Sequence, residues 1–160
     1  MAIILDGTDS IGDLGDALAA KAALASLQVV SATYATQVQT TSTSYVDSGL
    51  TATITPTSAT SKILVIVVMP FMIYNTSGTL ANGGLRVLRG ATSIADTDVM
   101  LRAASGELEA HGNESFLIMD APATTSATTY KVQGKLISGS FIWMQQGNHP
   151  ATIVLKEIPA

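Results

Sequence analysis

The chain of 160 residues contains no cysteine, which excludes a disulfide framework and any metal site built on thiolates. Charge is scarce too, because only 12% of the residues are Asp, Glu, Lys or Arg. Lysine and arginine number eight, none lies between Lys21 and Lys62, and the net charge is −4. This charge distribution indicates no nucleic-acid partner, since such partners are held by clustered basic side chains.

Long apolar runs are absent as well. The most hydrophobic stretch, residues 63–74, is interrupted by Pro70 and is shorter than the ~20 residues that a membrane helix needs. We therefore expect no membrane partner and interpret the stretch as a strand buried on both faces. Residues 1–6 lack the basic start and the apolar length of a signal peptide, so no targeting segment is expected.

Serine and threonine supply the polarity that charge does not, and a similar Pro–Ser/Thr/Ala segment occurs twice in the chain. Residues 56–62 begin with a proline, continue through a Ser/Thr/Ala stretch and lead into the apolar segment 63–68. Residues 122–129 do the same before the segment 130–133. Proline pre-sets a turn and hydroxyl side chains satisfy turn backbone, so each copy predicts a strand, a turn and a strand.

The first residues differ from the rest of the chain. Residues 1–5 are a short strand candidate, and residues 13–27 carry leucines at helical spacing among many alanines, with Asp13 and Asp16 in the first turn. Such a helix is marginal alone in water. It therefore contacts copies of itself or a larger surface, or else it packs on its own domain. We predict an arm over residues 1–28 that serves for attachment or oligomerisation through Ile3, Leu5, Leu14, Leu18, Leu24 and Leu27.

From residue 29 onward the apolar pattern has a period of two. The strand candidates are residues 28–39, 44–46, 50–54, 62–74, 85–88, 93–95, 115–119, 129–136, 141–144 and 152–158. Turn residues stand at 47–49, 75–78, 82–84, 90, 138–139 and 147–148. Residues 106–113 are predicted to be an exposed polar loop, and residues 97–108 have a weak helical pattern. Together they predict a mainly β domain over residues 29–160, an antiparallel β-sandwich of jelly-roll type.

Candidate chemistry is limited to one cluster. His111 lies near Glu107, Glu109 and Glu114, but their spacing matches no zinc-binding pattern, and a solvated loop is the preferred interpretation. No nucleophile elbow or phosphate loop is present. We therefore predict no catalytic residue, no cofactor and no metal, and we expect that the protein is not an enzyme.

Aromatic residues leave a binding role open. Trp143 could stack on a sugar together with tyrosines, but residues 141–144 are interpreted first as a core or interface strand.

Several segments of the sequence resemble a recurring bacteriophage structural protein, seen especially in phages of cyanobacteria and marine bacteria. The residues that carry the resemblance are 29–34, 40–50, 54–65, 85–90, 120–130 and 151–158. The resemblance implies a virion protein with a β domain, often trimeric, on a fibre, tail or capsid surface. Residues 2–8 also resemble the start of phage fibre and head-surface proteins, where this part attaches to the particle.

Three hypotheses follow from the resemblance and the composition. The first is a capsid decoration (cement) protein that binds the major capsid protein lattice as a homotrimer on the virion surface. The second is a tail-fibre or receptor-binding protein that recognises host surface glycan, which aromatics exposed near residues 75–84 or 106–113 would favour. The third, a polysaccharide-degrading enzyme using Glu107, Glu109 or Glu114, is the least favoured.

Overall fold

The computed structural model describes residues 28–78, 80–102 and 106–159. The strand and helix expected before residue 28, and the six attachment residues named for that arm, lie outside these ranges. The described part contains ten strands and one short 3-10 turn at Gln146–Asn148. The strands are β1 (Val29–Tyr34), β2 (Val38–Thr40), β3 (Val46–Ile54), β4 (Lys62–Asn75), β5 (Leu80–Arg89), β6 (Thr92–Arg102), β7 (Leu108–Asp120), β8 (Thr128–Ser138), β9 (Phe141–Met144) and β10 (Ala151–Ile158).

The strands form two antiparallel sheets. In the larger sheet, β4 pairs with β7 along one side, and with β10 and then β9 along the other; β1 pairs with β10, and β2 with β9. The smaller sheet has the order β3-β8-β5-β6. The two series β1-β10-β4-β7 and β3-β8-β5-β6 are the eight strands of a jelly roll. The predicted antiparallel β-sandwich is therefore confirmed.

The core lies between the inner faces of the two sheets. On β3 and β10 burial alternates residue by residue, so that Leu50, Ile153 and Leu155 are buried while their neighbours are more exposed. This is the period of two that side chains adopt on a pleated strand. The alternation seen in the sequence therefore sets which face of each sheet is buried. No helix of the described part is long and apolar enough to cross a membrane.

Two expectations for the middle of the chain are wrong. The weak helical pattern over residues 97–108 does not give a helix at residues 97–102, which belong to strand β6 and pair with β5 as far as Arg102. The exposed loop expected over residues 106–113 belongs to β7 from Leu108 onward, which pairs with β4 over its whole length. In both places ladder pairing and burial of alternate side chains override weak local propensity.

Two of the predicted turns lie inside strands. Residues 82–84 belong to β5, where a Cβ on Gly83 would stand 2.6 Å from Cδ1 of Ile142, so glycine there allows close packing. Residues 47–49 form an irregularity in β3, and Gly49 has a φ of 86° beneath the ring of Tyr34. Glycine is needed at both positions for reasons other than chain reversal.

The two Pro–Ser/Thr/Ala segments, residues 56–62 and 122–129, connect strands, as predicted. The first joins β3 to β4 and the second joins β7 to β8, and each crosses from one sheet to the other. They lie side by side, because Ile54 pairs with Thr128 at one sheet and Ile63 pairs with Asp120 at the other. We call this the crossover end of the sandwich.

Candidate functional site

The described chain begins at the crossover end, on the edge of the larger sheet. The backbone N–H of Glu157 donates to the carbonyl of Gln28 at 2.9 Å, and Val29 pairs with Lys156. Val29 is 57% exposed. Gln28, where the described chain begins, therefore lies at the crossover end.

An apolar surface lies on the outer face of the larger sheet at the same end. Leu117 and Met119 on β7 are 75% and 53% exposed, and Val68 on β4 is 39% exposed. Strand pairing places Met119 beside Leu64 and Leu117 beside Ile66, and it also places Ile66 beside Val154. We call the six residues the apolar patch; they are Leu64, Ile66, Val68, Leu117, Met119 and Val154. Strand β4 is thus fully buried on its inner face only, which corrects the expectation that both faces are covered.

A buried carboxylate holds the first crossover. The backbone N–H and the hydroxyl of Thr57 donate to Oε1 of Glu157 at 2.8 and 2.7 Å. Burial by itself raises the pKa of this carboxyl, but the hydrogen bonds that it accepts, first of all from Thr57, outweigh burial and lower the pKa overall. Glu157 therefore fixes the loop in its ionised form.

A second buried carboxylate holds the other crossover. The hydroxyl of Tyr130, which is fully buried, donates to Oδ2 of Asp120 at 2.7 Å, and Nη1 of Arg89 donates to Oδ1 at 2.7 Å. Burial, and then the hydrogen bond to Asp120, raise the pKa of Tyr130 far above its usual value. Because Asp120 ends a strand of the larger sheet and the other two residues belong to the smaller one, the network ties the two sheets together.

Three aromatic side chains form a row at the opposite end of the larger sheet. The ring centroids of Tyr74 and Phe141 are 4.9 Å apart, and those of Phe141 and Trp143 are 5.0 Å apart. All three side chains are partly exposed, and the indole N–H of Trp143 donates to Oε1 of Gln39 at 2.7 Å. We call Tyr74, Phe141 and Trp143 the aromatic row.

The acidic cluster noted in the sequence lies beside the aromatic row. The hydroxyl of Tyr74 donates to Glu107, and this bond raises the pKa of Tyr74. Glu109 hydrogen-bonds to His111, and both are exposed on β7. Within residues 28–78, 80–102 and 106–159, no group of three or more His, Cys, Asp or Glu side chains is arranged to hold a metal ion. The cluster therefore forms two surface pairs, Tyr74 with Glu107 and Glu109 with His111. Glu114 lies farther along β7, where its partner in the strand register is Met69.

A cavity of about 530 Å³ lies next to the aromatic row. Its lining residues come from β4, from β7 and from the 3-10 turn; they are Pro70, Phe71, His111, Gly112, Asn113, Gln146, His149 and Pro150. The turn is fixed against β4 because the backbone N–H of Gln145 donates to the carbonyl of Pro70 at 2.8 Å. The cavity therefore brings together the only two histidines of the chain, which are far apart in sequence.

Sequence reasoning missed the cavity and did not give the full membership of the apolar patch, although residues 63–72 hold more contiguous apolar side chains than a small sandwich hides. The patch depends on which residues of β4, β7 and β10 stand side by side, and no local pattern gives that register. One signal was available for the aromatic row, since residues 141–144 alternate two large aromatics with two residues that turn out to be buried.

The geometry defines a jelly-roll sandwich with an apolar surface at one end and an aromatic row beside a cavity at the other. No protein-family model and no curated protein matches the chain. Among solved structures it is similar to a chain of the infectious bursal disease virus VP2 subviral particle, with 15% identity, a TM-score of 0.33, and coverage of 84% of this chain and 38% of that one. A chain of infectious bursal virus derived T=1 particles gives 17% identity, a TM-score of 0.37, and coverage of 84% and 37%. The chain thus spans less than two-fifths of the length of these two chains, and TM-scores this low do not establish a common fold.

Proposed function

We propose that the protein is a non-enzymatic structural protein of the phage virion surface, a capsid decoration (cement) protein that binds the head lattice as homotrimers. The observation that carries the proposal is the apolar patch, which lies at the end of the sandwich where the described chain begins. Exposed apolar groups that cluster in this way are typical of surfaces that bind other proteins.

The magnitude of the apolar contribution supports a role in assembly. Full burial of one Leu or Met side chain contributes about 1.5–3 kcal/mol. Leu117 and Met119 are more than half exposed in the single chain, so a neighbouring molecule that covers them gains most of that energy. The few charged residues of the chain leave little charge to be desolvated when such a contact forms.

Stabilisation of the lattice follows from mass action. A protein that binds the assembled lattice and not its dissociated subunits shifts the equilibrium toward the assembled form. In this proposal residues 1–28 form the arm that attaches to the particle, with Ile3, Leu5, Leu14, Leu18, Leu24 and Leu27 as contact residues, and residues 29–160 form the β domain.

Copy number in purified virions tests the proposal. Hundreds of copies per particle are expected of a protein that covers the head lattice, and a few copies would contradict it. Deletion of residues 1–27 should leave a folded β domain that no longer binds virions. A monomer in sedimentation at micromolar concentration would contradict the trimer.

A second candidate is a tail-fibre or receptor-binding protein that recognises host surface glycan. The aromatic row favours it, because Tyr74 and its neighbours are partly exposed at the end that carries residues 75–78 and 106–113. Inhibition of host adsorption by the purified protein is the expected result. Unchanged adsorption of particles that lack the protein would count against it.

A further inference from the structure

We propose that the cavity between β4, β7 and the 3-10 turn binds a neutral carbohydrate, with the aromatic row as its flank. This inference specifies the site of the second candidate function. It does not depend on the lattice-binding role, because binding is measured on the isolated protein.

The chemistry of the cavity wall selects the ligand class. Its polar side chains are the amides of Asn113 and Gln146 and the imidazoles of His111 and His149. No lysine, arginine, aspartate or glutamate is among the lining residues, and Glu109 contacts the wall only through its hydrogen bond to His111. Amide and imidazole groups both donate and accept hydrogen bonds, which matches the hydroxyl groups of a sugar.

The apolar part of the wall suits the same ligand. The ring of Phe71 lies so close to β7 that a Cβ on Gly112 would stand 2.8 Å from its Cζ, which means that only glycine leaves room for the ring. Pro70 and Pro150 add two more rigid apolar surfaces. A volume of about 530 Å³ falls in the range of small-molecule sites, which combine apolar walls with a few polar groups.

The segment that carries Gln146 and His149 has an unusual backbone conformation at the residues between and before them. Gln145, Gly147 and Asn148 all have positive φ, at 51°, 66° and 60°. Gln145 is fully buried, and its side-chain amide has no hydrogen-bond partner among the described residues. Strained residues and unpaired buried polar groups concentrate at functional sites, where they hold a particular geometry at a cost in stability. This turn places Gln146 and His149 in the cavity.

The aromatic row continues the site along the sheet. Met72 on β4 pairs with His111 on one side and with Trp143 on the other, so the row begins one strand position from the cavity wall. Trp143 and Phe141 point to the same face because Ile142, between them, is buried. An oligosaccharide that fills the cavity with one residue therefore reaches an aromatic surface with the next.

The test is a binding screen on the intact protein. The purified chain is probed with an array of neutral oligosaccharides built from hexoses, N-acetylhexosamines and deoxyhexoses, and each hit is titrated by calorimetry. Asn113→Ala and Gln146→Ala should each weaken binding about 5- to 100-fold, the range for loss of one or two hydrogen bonds. Trp143→Ala should weaken longer glycans more than short ones, and Ser31→Ala, on exposed β1, is the matched control.

A second readout needs no substitution. On titration of the unmodified protein, the side-chain amide signals of Asn113 and Gln146 and the imidazole signals of both histidines should shift together. Absence of binding to every sugar class at millimolar concentration overturns the inference. The inference is also overturned if Asn113→Ala and Gln146→Ala bind the sugar as the parent does and keep the thermal midpoint of the parent. Neither result bears on lattice binding, which copy number in virions decides.

Discussion

The hydroxyl of Tyr130 is the group whose removal tests the account of the crossover end most directly. Tyr130→Phe keeps the ring and deletes only the donor to Asp120, so no cavity forms. A hydrogen bond to a charged group contributes about 1.5–3 kcal/mol, and Asp120 is left with Arg89 as its side-chain partner among the described residues. We expect the free energy of unfolding to fall by about 2 kcal/mol, which corresponds to a drop of about 5–10 °C in the thermal midpoint for a domain of this size.

The pH dependence gives the same prediction an independent check. Because the fold raises the pKa of Tyr130, the neutral phenol is favoured in the folded state. Its contribution is fully present below the unfolded pKa of about 10 and is lost as pH rises above that value. The difference in stability between the parent and Tyr130→Phe should therefore be constant from pH 7 to 9 and should shrink above pH 10.

Urea unfolding followed by tryptophan fluorescence measures both effects. Tyr34→Phe is the matched control, since Tyr34 is a partly exposed tyrosine on β1, outside the network of Asp120. A loss below about 0.5 kcal/mol in Tyr130→Phe, or an equal loss in the control, would refute the assignment of the network as a tie between the sheets.

Three further predictions concern other parts of the sandwich. The net effect of the fold is to lower the pKa of Glu157, so the contribution of its ionised form to stability is present above the unfolded pKa and is lost as pH falls through the folded pKa. When urea midpoints are measured at decreasing pH, the Glu157→Gln variant should therefore lose less stability than the parent. Gly49→Ala should destabilise by at least about 1 kcal/mol more than Gly90→Ala in thermal unfolding, since both have positive φ but only the first Cβ meets a ring; equal costs would contradict this. Leu117→Ser with Met119→Ser should keep the far-UV circular dichroism of the parent and abolish self-association in sedimentation; a trimer that persists would remove the apolar patch from the interface.

Much of the fold was predictable because the β pattern is local. Alternation gave most strands of the sandwich, and proline with hydroxyl residues gave both crossovers. What failed were segments with the residue types of loops, such as residues 82–84 and 106–113, whose strand conformation depends on partners far along the chain. Gly83 has the residue type of a turn, but in the structure it is the close contact with Ile142 that requires glycine there. Glycine has two uses, tight turns and close packing, and a single sequence does not separate them.

The candidate site was less predictable because it depends on register. His111 and His149 are 38 positions apart, and neither has a neighbour in sequence that indicates a shared cavity. They meet because β7 pairs with β4 while the 3-10 turn is hydrogen-bonded to Pro70 on the same strand. The aromatic row arises in the same way from pairing between β4 and β9.

The jelly-roll topology places the surfaces that the two candidate functions would use on the same sheet. Strand β4 runs the length of the larger sheet, with Leu64 in the apolar patch and Tyr74 in the aromatic row. Leu64 and Tyr74, the outermost members of the two surfaces, are ten residues of extended strand or about 30 Å apart, whereas Val68 of the patch and Pro70 of the cavity wall are two positions apart. A neighbouring molecule that covers Leu64 and Met119 at the crossover end therefore leaves the aromatic row at the other end of β4 accessible to solvent. Leu117→Ser with Met119→Ser in the patch, and Trp143→Ala in the aromatic row, therefore test the two candidate functions separately.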